Sequence, residues 1–255
     1  MAADALAVEL ASSHRSPPIV RFFSWAPPAV SLGFHQPAEA VNAAACRRLG
    51  WELVRRPTGG RALLHKGDLC YSVALHTTNG NLNLLSRLYR QTGLAIAETI
   101  QELGIAVQPS GEDGASLRSV NRSRNGLCLE ARVRGEIATG RGKFAAAAQR
   151  LFPGGILQQG SILVTAQPGE IAQVISGDQP AIAAKLRRRA CSLEEAAGWQ
   201  IDVNDLIIKL AARLSDRLEL ELLPSEWSEE ELTQIASRRE DWLIPAPAGE
   251  MVQHG

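Results

Sequence analysis

The block Arg55-Arg56-Pro57-Thr58-Gly59-Gly60-Arg61-Ala62-Leu63-Leu64-His65 constrains this chain more than any other stretch. An apolar strand pattern, Trp51 to Arg55, leads into it, and another, Leu69 to Leu75, follows it. A proline and two adjacent glycines exclude a continuous helix between them, so the chain must turn from strand to strand here. Ile19 to Phe23 and Ala29 to Leu32 predict two more short strands around the Pro27-Pro28 turn. Leu127 to Val133 and Glu136 to Thr139 predict a hairpin, and Gly154-Gly155 opens a loop before the apolar run Ile162 to Val164.

Helices dominate elsewhere. Leu84, Leu85, Leu88, Ala95, Ile96, Ile100 and Leu103 fall on one face of a helix predicted over Leu82 to Leu103, with Gly93 a local weakness. Ser192 with Glu195 and Ser228 with Glu231 have capping-box spacing. Between them Leu206, Ile207, Leu210, Leu214 and Leu218 mark an amphipathic helix. The pattern is α+β: a mixed sheet first, helices gathered toward the C-terminus, and a loose tail after Pro245.

Composition narrows the function classes. Lys and Arg, 27 in all, balance 27 Asp and Glu, so no global basic field exists to drive nucleic-acid binding. No apolar stretch is long enough to cross a bilayer, and Met1 to Leu10 lacks the basic segment and apolar run of a signal peptide, which predicts a cytoplasmic protein. Cys46, Cys70, Cys128 and Cys191 are widely spaced, with no metal-ligand pattern, and predict free thiols and no structural metal.

Two stretches can carry chemistry. In the Arg55–His65 block, adjacent glycines let the backbone approach a ligand and aim N–H groups at a carbonyl or phosphate oxygen. Taken alone, Pro-Thr-Gly-Gly is more often only a turn, and His65 more often a structural histidine. In the second stretch, Lys143 follows Cys128 by fifteen residues, a separation compatible with a hairpin that joins thiol and ammonium. A nearby ammonium favours the thiolate and so supplies a nucleophile for thioester chemistry. A lone cysteine between leucines is otherwise a small buried hydrophobe.

In this order the stretches resemble the biotin/lipoate protein ligase superfamily. The resemblance begins at Arg21 to Gln36 and continues through Arg55 to His65 and Asp68-Leu69-Cys70-Tyr71-Ser72-Val73. It ends with Lys143, Gln149 and Ile156-Leu157-Gln158-Gln159-Gly160-Ser161-Ile162. It implies that family's catalytic fold, a mixed and largely antiparallel sheet flanked by helices, over residues 20–245. The sheet-rich core would cover about 20–175, a helical part about 176–245, and a loose tail 246–255.

Ligases of the superfamily carry an Arg-Asn-Asp-like segment where this chain has Gly126-Leu127-Cys128-Leu129-Glu130. A cysteine there, followed by Lys143, is similar to octanoyltransferases that form an acyl-thioester and need no ATP. The resemblance then implies Cys128 as nucleophile and Lys143 as the group that lowers its pKa and helps hold the acyl carbonyl. It implies substrate binding by Arg55, Arg56, Thr58, Gly59, Gly60, Arg61, His65, Ala146 and Gln149, an acyl tunnel walled near Trp25 and Leu32, and no cofactor. The implied partners are octanoyl-acyl carrier protein as donor and an apo lipoyl domain or glycine-cleavage H protein as acceptor. An ATP- and magnesium-dependent lipoate ligase is the alternative, and a non-catalytic binder of lipoyl carriers a third reading. Ala146 and Gln159 depart from the family's usual glycine and histidine.

Overall fold

The computed structural model describes residues 1–78, 82–110, 127 and 136–245. Its largest sheet has the strand order β1-β5-β10-β9, all neighbours antiparallel, from β1 (Ile19–Phe23), β5 (Asp68–His76), β10 (Gly155–Leu163) and β9 (Ala145–Phe152). A second sheet has β2 (Ala29–Leu32) between β3 (Glu52–Arg55), parallel to it, and β4 (Leu63–His65), antiparallel. A third sets β7 (Glu136–Thr139) between β6 (Gln108–Ser110) and β8 (Gly142–Lys143). The α+β reading with a mixed, largely antiparallel sheet flanked by helices is therefore the observed one, and the predicted strands at 19–23 and 29–32 match residue for residue.

The large sheet is covered on both faces, which explains why β5 and β10 are buried along most of their length. On one face Tyr71, Val73, Ile156 and Ile162 meet Leu88, Ile96 and Ile100 of α3 (Leu82–Glu102) and Leu206, Leu210 and Leu214 of α6 (Val203–Leu218). The apolar stripes of both helices have the 3.6-residue period, and α3 runs unbroken through Gly93. On the other face lies α1 (Ala2–Ser12), whose Ala7, Val8 and Ala11 pack on Ala74 and Leu157. Residues before 20 thus contribute to the same core. A separate apolar cluster joins Val30, Leu32 and Leu53 of the second sheet to Cys46 of α2 (Ala43–Arg48) and Leu186 of α4 (Gln179–Arg189).

The C-terminal helices begin where their caps direct. The Ser192 hydroxyl accepts from the Glu195 N–H at the start of α5 (Leu193–Ala197). Ser228 and Glu231 form the complete reciprocal box that starts α7 (Glu229–Ser237). Among the described residues no helix is long and apolar enough to cross a membrane. Of the hairpin expected over 127–139, Glu136–Thr139 pairs with β6 and β8, Leu127 bridges to Ala62, and 128–133 lie outside the described residues.

Candidate active site

A cavity opens at the seam between the large sheet and the β3-β2-β4 sheet. Its space is about 380 Å³ counted to its open mouth, and its lining includes Phe23, Ser31, Arg56, Leu63, His65, Ala146–Ala148 and Gly160–Ser161. Alternation along the strands places these side chains. In β10, Leu157, Gln159 and Ser161 face α1 and the seam, and the register sets Ala148 opposite Gln159 and Ala146 opposite Ser161.

Arg56, the second arginine of the block, does not reach into solvent. It is 6% exposed and turned back into its own loop: Nε and Nη2 donate to the Gly59 carbonyl at 3.0 and 2.8 Å, and Nη2 to the Arg61 carbonyl at 2.8 Å. Its Nη1 donates to both the carbonyl and the hydroxyl of Ser31 at 3.0 Å. A guanidinium has five N–H donors in a fixed fork, so one buried side chain can hold the turn and the neighbouring strand together. Gly60 takes φ +92°, and a Cβ at Gly33 would overlap the Gly60 carbonyl, so Gly60 is needed for its backbone angle and Gly33 for the close backbone approach, whereas a Cβ at Gly59 would meet open space. Arg55 clamps the preceding turn, donating from Nη1 to the carbonyls of Gly33, Phe34 and Gln36. Thr58 is fully buried and donates to Gln159 Oε1 at 2.7 Å, while Gln159 Nε2 donates to the buried Asp4 at 2.7 Å. Asp4 also pairs with Arg21. Gln159 is thus matched to a donor on one side and an acceptor on the other.

His65 is the centre of a chain of short contacts. Its Nδ1 lies 2.7 Å from Asp68 Oδ2 and its Nε2 lies 2.8 Å from Ser31 Oγ. The Trp25 ring stacks on it, with centroids 5.2 Å apart and planes 19° apart. Ser161 donates to Asp68 Oδ2 at 2.6 Å, and the Cys70 thiol donates to the same oxygen at 3.3 Å. Burial pushes the Asp68 carboxyl up, but His65 beside it and hydrogen bonds from His65, Ser161 and Cys70 outweigh burial and hold it below its ordinary value. Burial, followed by the Asp68 charge, pushes the Cys70 thiol well up. Cys70 is therefore a protonated donor. His65, Asp68 and Cys70 also form a set of metal-ligand atoms within 4.8 Å of one another, but each of these atoms is already bonded within the set.

Of the residues expected at the site, Arg56, His65 and Ala146 line the cavity. Arg55, Thr58, Gly59, Gly60 and Arg61 build the wall behind it rather than its surface. Gln149 is placed on the other face of β9, where Nε2 donates to Gln158 Oε1 at 2.7 Å and to the Leu85 carbonyl of α3 at 3.1 Å. Leu32 packs in the core and Trp25 covers His65; the apolar cavity surface comes instead from Phe23, Leu63 and the alanines. Lys143 is buried, paired through its backbone to Ala138 and Ala190. Cys128 lies outside the described residues. Its chain neighbour Leu127 is buried in the cluster that contains Ala62, Leu63 and Ala146. Sequence reading passed over Ser31 and Ser161 as site residues; Ser31 has a signal, a small polar residue at an inward position of the otherwise apolar β2, whereas Ser161 follows Gln158, Gln159 and Gly160 in β10 and has none.

Residues 1–215 match the Lipoyl protein ligase A/B catalytic domain. The chain is 30% identical over 241 residues to Octanoyltransferase LipM of Moorella thermoacetica, covering 90% of this chain and 87% of the relative. It is 36% identical over 170 residues to Octanoyltransferase LipM of Geobacillus kaustophilus, covering 64% and 60% of the two chains. In three dimensions it is similar to a bi-partite lipoate protein ligase from Thermoplasma acidophilum, from a structural study of that ligase and its E2 lipoyl domain. The TM-score is 0.73, with 20% identity over 98% of this chain and 94% of the other. A lipoate-protein ligase A bound with ATP gives a TM-score of 0.70 at 21% identity over 94% and 90%. At these identities the structural likeness establishes the fold.

Proposed function

Because the chain belongs to the lipoyl protein ligase A/B catalytic domain family, we propose that it is an ATP-independent octanoyltransferase of lipoate biosynthesis. It takes octanoyl from octanoyl-acyl carrier protein onto Cys128 and passes it to a lysine of a lipoyl domain or glycine-cleavage H protein in the cytoplasm. The observation that carries this reading is the likeness to octanoyltransferases over most of the chain. Cysteine chemistry supports it. Cys46 is pushed up to about 11 by burial, and Cys70 and Cys191 are also raised, chiefly by burial, so these three stay thiols at neutral pH. Cys128 is the remaining cysteine, and its neighbour Leu127 is bridged to Ala62, next to Leu63 in the cavity wall.

In the proposed reaction the Cys128 sulfur attacks the donor thioester, and the carrier's thiol departs. The acceptor amine then attacks the new thioester, and Cys128 is released. The small apolar walls of the cavity suit an alkyl chain, and Lys143 lies one residue from the buried Phe144 that begins the approach to β9. Lys143 favours the Cys128 thiolate and helps hold the acyl carbonyl. The test is transfer from octanoyl-acyl carrier protein to an apo lipoyl domain without ATP, followed by intact mass. Gain of an octanoyl group on the domain is expected; transfer only from free acid with ATP and magnesium would establish the ligase alternative instead.

A further inference from the structure

The Ser31–His65–Asp68 chain has a directionality that packing does not require. In a neutral imidazole one nitrogen donates and the other accepts. Asp68 Oδ2, which also accepts from Ser161 and Cys70, accepts from Nδ1, so in the neutral ring Nε2 is left as the acceptor for the Ser31 hydroxyl. Arg56 Nη1 donates to the same Ser31 oxygen and favours negative charge there. Ser31 and His65 both line the cavity, whereas Asp68 sits behind them. The carboxylate takes its three hydrogen bonds on Oδ2; Oδ1 is buried and has no hydrogen-bond partner among the described residues. Such a group is costly to bury, and an imidazolium formed at His65 would supply the positive charge it lacks.

We propose that Ser31, His65 and Asp68 form a proton relay that accepts the proton released when the acceptor lysine attacks the acyl group. This rests on the thioester reading of Cys128. The amine nitrogen forms a bond to the acyl carbon, the C–S bond breaks, and the electron pair stays on the Cys128 sulfur. The amine proton passes to Ser31 Oγ as the Ser31 proton passes to His65 Nε2, and Asp68 holds the resulting imidazolium. One thiolate and one imidazolium are formed together; His65 then gives its proton to solvent, which replaces the proton taken up when the carrier left as its thiol, and the Cys128 thiolate of the starting state is restored. Ser31 and His65 thereby act on the second half of the reaction, where an amine must lose a proton, and not on the first, where the attacking sulfur is already a thiolate.

The experiment is a partition assay with the full chain. Octanoyl-acyl carrier protein is turned over with an apo lipoyl domain and hydroxylamine together, and the ratio of octanoyl-lipoyl domain to octanohydroxamate is measured for wild type, Ser31→Ala and His65→Gln. Hydroxylamine is neutral at the assay pH and can lose its proton directly to solvent, so the ratio isolates deprotonation of the lysine from the yield of acyl-enzyme. General-base loss predicts a ratio lowered about 100-fold in both variants. A ratio unchanged from wild type, or loss of both products together, overturns the relay. If wild type itself forms neither product through a Cys128 adduct, the thioester reading fails first.

Discussion

On the β2–β4 side of the cavity, Arg56 and His65 are tied by named hydrogen bonds to backbone carbonyls, Ser31 and Asp68. On the β9–β10 side, Ala146, Ala147, Ala148 and Gly160 present almost no side chain. The first wall is fixed by polar groups that would be costly to leave unpaired, and the second is defined by the volume its side chains do not fill. In the proposed reaction one wall holds charge and protons in place while the other leaves room for an alkyl chain. Substitutions on the two should therefore fail differently.

The largest stability effect belongs to the polar wall. Arg56→Ala removes the donors for the Gly59, Arg61 and Ser31 carbonyls and is expected to cost about 4 kcal/mol in chemical denaturation, the scale of breaking a buried charged network. On the small wall, Gly160→Ala would set a Cβ into the Tyr71 ring, which is itself buried under α3, and should cost about 2 kcal/mol by the same measurement. Ala146→Leu fills the cavity and is expected to act mainly on substrate choice. Comparison of octanoyl with butanoyl donors should show relative kcat/KM shifted about tenfold toward the shorter chain. An equal loss for both donors would mean that the alanine wall does not measure chain length.

Acid separates the walls further. The folded-state Asp68 pKa is depressed, so its stabilising contribution is fully present above the ordinary carboxylate value, about 4, and is lost as pH falls through the depressed one. Thermal melts below about pH 4 should therefore fall less steeply for Asp68→Asn than for wild type, whereas Ala146→Leu should keep the wild-type slope. The smallest effect lies far from either wall: Ser228→Ala removes one half of an exposed capping box and should cost about 1 kcal/mol with no change in acyl preference.

Features set by neighbours along the chain are legible in the residues themselves. Ser192 and Ser228 cap the helices their spacing indicates, α3 carries the apolar face read from Leu84 to Ile100, and the early strands fall where the turns direct them. Features set by distant partners are not. Thr58 finds Gln159 about a hundred residues away, and Asp4 is buried only because Gln159 and Arg21 meet it, so neither helix α1 nor its role is visible in an alanine-rich start. The Arg55–His65 block is legible as a turn between strands, and it borders the cavity, but the sense of its glycines is not legible. The fold turns the Gly59 and Arg61 carbonyls inward onto Arg56. Gln149 shows the same limit in a strand, because one step in register decides whether a side chain meets the cavity or α3.

Whether Cys128 carries the acyl group is decided by peptide mapping of the acyl-enzyme. The protein is incubated with octanoyl-acyl carrier protein without ATP, quenched, digested and examined by mass spectrometry beside Cys128→Ser. One hydroxylamine-labile octanoyl group on Cys128 is expected in the wild type, and neither adduct nor transfer in the variant. Octanoyl transfer to the lipoyl domain at an undiminished rate by Cys128→Ser would refute the thioester mechanism.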